Sequence, residues 1–194
     1  MVPRLWEHTL DAHRRSVGDA ILDAAGALAA ERGLRGVTMS AIAERTGIGR
    51  ATLYRYFPDL DALLEAWHRR QVGQHLERLD ALRAQPGDAA ERLLRVLDGY
   101  ARLARGAAGR EGGAGPSALL HAGEHVRHAE RHVRAILRDV LAEARAAGAI
   151  RGDIPADELA TYCLHALAAA AAAPSQAAAR RLVEATLDGL RFRR

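Results

Sequence analysis

Between positions 50 and 56 the chain carries Arg50, Thr52, Tyr54, Arg55 and Tyr56. These side chains donate hydrogen bonds, stack on flat rings and bring positive charge. Leu53 and Phe57, four residues apart, would turn to the inside of a helix and leave the other faces to these five. The chemistry this offers is recognition of base edges and phosphate oxygens. Upstream, Thr38 is suited to cap a first short helix, because its hydroxyl can accept an orphan N–H of the opening turn. Ile42 and Ala43 fall on that helix's inward face. Gly47-Ile48-Gly49 makes the tight turn between the two helices, since glycine accepts the positive φ that ends a helix abruptly. Two short helices set across such a turn, the second exposed and cationic, suit the major groove of DNA.

A second set of residues could bind a metal. His121, His125, His128 and His132 recur at i, i+4, i+7 and i+11, one face of a helix, and histidines four apart can share an ion. Cys163 is the single cysteine, so no thiolate cluster completes a tetrahedral site and no internal disulfide can form. The commoner role for such histidines is to line a pocket or face solvent. Acidic residues stand only among nearby arginines, as Glu143 does near Arg138. There is no phosphate-cradling loop, nucleophile elbow or Cys–His pair. The sequence therefore predicts neither an enzyme nor a cofactor.

The elements that must position these residues are all helical. Val17, Ala20, Ile21, Ala24, Ala25 and Leu28 form the stripe of an amphipathic helix over 16–32, stopped by Gly33. Residues 1–15 are locally basic, with Arg4, His13, Arg14 and Arg15; they read either as an arm touching phosphates or as a frayed end. Pro58-Asp59 opens another helix, whose Leu60, Leu63, Leu64, Trp67, Leu76, Leu79 and Leu82 carry it to about Ala84. Asp88 caps the next, over 89–105. Residues 106–115 read as a flexible glycine linker. A short helix is expected over 117–121 and a longer one ending at Ala147, with Val133, Ile136, Leu137, Val140 and Leu141 inward. The last two helices begin near Pro155 and Ser175. Leu159, Tyr162, Cys163, Ala166, Leu167 and Ala170 line the first; Leu182, Val183, Thr186, Leu187 and Leu190 line the second. Both are rich in small residues that permit close helix approach.

The 194 residues allow one or two domains with a substantial core. Hydrophobic residues are 49% and aromatic ones 4%, an aliphatic mix that favours helices. The basic side chains other than histidine are all arginine, and the net charge is +4, which permits nucleic-acid binding without requiring it. No apolar run approaches the roughly 20 residues of a membrane span, and no signal peptide is evident. A cytoplasmic protein that does not enter the membrane is the expectation.

The run T-x-S-x-I-A-E-R-T-G-I-G-R-A-T-L-Y-R-Y-F, then P-D-x-x-A-L-L, resembles the DNA-binding signature of TetR-type transcriptional regulators, most closely over 20–64. The resemblance implies an all-α chain. An N-terminal arm and helix-turn-helix domain would occupy 1–57, and a helical effector-binding and dimerisation domain 58–194. It implies phosphate contacts at Thr38 and Met39, where the first helix of the motif opens, and a base or backbone contact at Ser40. Arg50, Ala51, Thr52 and Arg55 match base-facing positions. Arg50 can bond a guanine through its fork, and Ala51 can touch a thymine methyl. Tyr54 and Tyr56 match phosphate-binding positions. Leu60 stands where many members carry a lysine, so that phosphate contact is missing. The partners implied are a double-stranded palindromic operator, a small-molecule effector and a second copy of the chain, paired through the two C-terminal helices. Repression is the family's default sign. Tyr100, His121, His125, Tyr162 and His165 are candidate polar groups of the effector pocket. The alternatives are a metal-responsive regulator using the four-histidine face and a helical protein-interaction module that reads no DNA.

Overall fold

A computed structural model describes residues 4–111 and 124–191, with side chains described for 11–106 and 124–191. Within these residues the chain forms eight α-helices and two short 3-10 turns: α1 (Arg4–Arg32), α2 (Met39–Thr46), α3 (Arg50–Tyr56), α4 (Leu60–Ala84), α5 (Ala89–Glu111), α6 (Glu124–Ala146), α7 (Ala156–Ala168) and α8 (Gln176–Leu190). The all-α expectation holds.

Two compact units divide the described chain. The first, through Arg70, is built on α1–α3 and the opening turns of α4. Its core joins Ile21, Ala25 and Leu28 of α1, Ile42 of α2, Leu53 of α3, and Leu63, Leu64 and Trp67 of α4. Each helix brings one apolar stripe, and burying those stripes together stabilises elements too short to persist alone. α1 differs from its sequence-based span. It starts at Arg4 instead of Ser16, because 4–17 contains neither glycine nor proline and the rigid helix behind it removes the cost of nucleation. Ala20, expected inward, is exposed, and the stripe instead takes in Leu22 and Ala29. Phe57, expected to be buried in the second helix of the motif, is the half-buried residue that caps α3 at its C-terminal end.

The second unit covers 71–109 and 121–194 in its described parts. Its core collects Leu79 of α4; Leu93, Val96 and Leu97 of α5; Val133, Ile136, Leu137, Val140 and Leu141 of α6; Leu159, Cys163 and Leu167 of α7; and Val183 and Leu190 of α8. Asp88 opens α5 with a reciprocal cap: its carboxylate accepts from Glu91 N at 2.8 Å, and Glu91 accepts from Asp88 N at 3.2 Å. α5 runs on to Glu111, through the first part of the stretch expected to be a linker. Ala107, Ala108, Arg110 and Glu111 are strong helix formers, which offset roughly 1 kcal/mol each for Gly106 and Gly109. The short helix expected over 117–121 lies outside the described residues. α6 ends at Ala146, one residue short of the expected Ala147, and Gly148 turns the chain at φ 70°, with Ala149 N donating back to Ala144 O at 2.9 Å. The turn after it is held to the end of α8 by Arg151 N donating to Leu190 O at 2.8 Å.

Candidate nucleic-acid interface

Thr38 shapes the start of α2. Its Oγ1 accepts from Ala41 N at 3.1 Å, and its own hydroxyl proton is left for an outside acceptor. Ser40 is exposed beside it, whereas the Met39 side chain leans on the core, so what Met39 can offer a phosphate is its backbone N–H. Gly47 sits at φ 68°, ψ 11° and turns the chain into α3, a conformation that an L side chain enters at a cost of about 1–2 kcal/mol. α3 then anchors itself by Leu53, fully buried. With that residue inward, Arg50, Ala51, Thr52 and Arg55 are exposed, Tyr54 is 49% exposed and Tyr56 is half-buried. The structure thus leaves Thr38, Ser40, Arg50, Ala51, Thr52, Tyr54 and Arg55 of the nominated set exposed at the start of α2 and on α3, with Met39 and Tyr56 partly withdrawn against the core. Among the described residues neither Arg50 nor Arg55 makes an ion pair, so both guanidinium forks are available to a partner.

Three braces hold this surface, and the sequence reading missed them. Arg45 of α2 pairs twice with Glu31 of α1, at 2.8 and 2.7 Å; the bond holds the Glu31 carboxyl below its usual range and raises the Arg45 guanidinium. Arg70 of α4 reaches α1, bonding Asp23 at 2.6 Å and Asp19 at 3.4 Å. Trp67 packs closely against α1 at Gly26, where a Cβ would stand 2.8 Å from the indole Nε1. A pair of acids four apart at 19 and 23 was the available signal for the second brace. Its partner lies 47 to 51 positions away, beyond any local pattern.

The other nominated residues do not gather. Tyr100 of α5 is half-buried against the second unit's core, and burial, with Glu130 nearby, raises its hydroxyl above the usual phenol range. His121 lies outside the described residues. His125 is half-buried and His128 exposed on α6, while His132 meets Asp80 of α4 at 2.9 Å. Tyr162 and His165 are exposed on α7, with Tyr162 lying over Gly189 of α8. Among the described residues no group of three His, Cys, Asp or Glu is placed to hold a metal ion. Cys163 is buried in apolar surroundings that push its thiol up to about 12, so it stays protonated and unreactive. No helix among the described residues is long and apolar enough to cross a membrane.

A short helix bracing a second, exposed and cationic one across a glycine turn, in a chain that also carries a separate helical unit, defines the helix-turn-helix class of transcriptional regulator. The comparisons carry this further. Residues 21–67 match the family "Bacterial regulatory proteins, tetR family", and residues 85–192 match "Transcriptional regulator SbtR-like, C-terminal domain". An uncharacterized HTH-type transcriptional regulator of Mycobacterium tuberculosis is 36% identical over 97 residues, 50% of this chain and 48% of that one. The match thus spans about half the length of that curated relative. A TetR transcriptional regulator of Streptomyces coelicolor has the same fold, with 30% identity and a TM-score of 0.62 over 90% of this chain and 98% of that one. The regulator FadR of Bacillus subtilis, solved in complex with stearoyl-CoA, aligns at 20% identity and a TM-score of 0.65 over 88% of this chain and 97% of that one. The chain belongs to the TetR family of transcriptional regulators, whose members are not enzymes.

Proposed function

We propose that this regulator binds a palindromic operator as a homodimer, represses from it, and is released by a small-molecule effector. The observation that carries the reading is the exposed face of α3, where Arg50 and Arg55 stand without an ion pair among the described residues, backed by a fully buried Leu53. In this reading Arg50, Ala51, Thr52 and Arg55 meet base edges. Tyr54, Tyr56, Thr38, the Met39 N–H and Ser40 position the helix against phosphates. Two α3 helices enter successive major grooves about 34–36 Å apart, or somewhat more, on one face of the duplex. The second copy joins through α7 and α8, where Tyr162, His165, Ala185 and Gly189 are exposed. The effector occupies the second unit in this reading; a relative from Bacillus subtilis was solved in complex with stearoyl-CoA, which supports a small-molecule ligand. It lowers operator affinity only by the difference in its affinity for the two states of the regulator. The test is selection of bound duplexes from a random-sequence pool with purified protein. An inverted repeat should emerge; a pool that stays random at low salt overturns the reading.

A further inference from the structure

The first unit's arginines are not equally free to meet DNA. Arg45 is held by Glu31, Arg69 by Glu65, and Arg70 by Asp19 and Asp23. Arg14 and Arg15 are exposed on α1 and make no ion pair among the described residues; Asp11, one turn earlier, takes neither. Their position is fixed by a contact farther along the same helix. A Cβ on Gly18 would lie 3.9 Å from Tyr56 Cδ1, so α1 touches the last residue of α3 there. Arg14 and Arg15 precede Gly18 by four and three residues. They therefore stand about 6 and about 4.5 Å along the axis and fall to either side of the line that meets Tyr56. At the opening of α4, by contrast, Leu60 leans on the core and Asp59 accepts from Ala62 N at 2.7 Å, so neither residue offers a cation.

The geometry points to a second phosphate-binding element. The helical extension of α1 ahead of Val17, through Arg14 and Arg15, grips the DNA backbone that flanks the groove entered by α3. This rests on the reading of α3 as the DNA-facing helix. Such contacts carry no base information; they add affinity on any sequence and release counterions. They put positive charge next to Tyr56, where Leu60 and Asp59 offer none.

The experiment compares wild type, the double variant Arg14→Ala/Arg15→Ala and the double variant Arg14→Lys/Arg15→Lys on a random-sequence duplex over a salt series. The far-ultraviolet helical signal serves as the folding control. The alanine pair should flatten the slope of log affinity against log salt by about 0.9 per lost contact, up to about 3.6 for a dimer. The lysine pair should restore it, and loss at fixed salt should be equal on selected and random DNA. Identical slopes for wild type and the alanine pair overturn the inference and leave the reading of α3 standing. A wild type that binds no duplex at low salt overturns both.

Discussion

Arg151 and Asp153 show how far one pair of residues can be followed. The guanidinium bonds both carboxylate oxygens, at 2.8 and 2.6 Å, and holds Asp153 at about 2. The folded carboxyl is thus more acidic than the unfolded one. Its contribution is complete above the ordinary carboxylate range and is lost as pH falls from that range through about 2. The pair is exposed, so the effect is small. Asp153→Asn should lower the denaturation midpoint slightly at neutral pH, with the gap from wild type closing as acid is added; a gap that is constant with pH would contradict this. At the same scale, residues whose roles are local were legible. Thr38 and Asp88 cap, Gly47 turns, and Leu53 anchors, each for a reason contained within four neighbouring positions. Of the effector candidates, Tyr162 stands in an apolar stripe and His165 beside it, and that pattern does not fix which side of the stripe faces solvent. Both are exposed on α7.

Helices were legible where an apolar stripe met a stop signal. α4 ends at Ala84 as read from sequence, and α6 ends at Ala146, within one residue of its expected end. The ends that were missed lack such punctuation. α1 extends twelve residues earlier than its stripe, because extending a helix already nucleated costs little where neither glycine nor proline intervenes. α5 crosses Gly106 because the residues around it favour helix. What no periodicity could reveal is how closely α1 and α4 approach. The indole of Trp67 lies where a Cβ on Gly26 would need to be, and Trp67 is 4% exposed with nowhere to go. Gly26→Ala should therefore destabilise the protein by about 1–3 kcal/mol through overpacking, despite the better helix propensity of alanine. Chemical denaturation checks it, and an unchanged or raised midpoint would show that α1 and α4 can move apart freely.

For the whole molecule, the family and the helical class followed from one ordered stretch, 38–64, whereas the second unit was legible only as helices. Its core is aliphatic and interchangeable in kind, so composition cannot name a ligand, and the histidine face of α6 is partly engaged through Asp80. The same asymmetry sets what can be tested. A net charge of +4 is modest for a DNA-binding chain, so sequence discrimination must come from a few base contacts more than from the overall field. The central claim is that α3 reads bases through Arg50. The most direct measurement repeats the selection from a random pool with Arg50→Ala and compares its consensus with that of the wild type. The account predicts that one base pair in each half-site loses its preference, at roughly 1–3 kcal/mol of discrimination, while the spacing and the remaining positions persist. An unchanged consensus would contradict it.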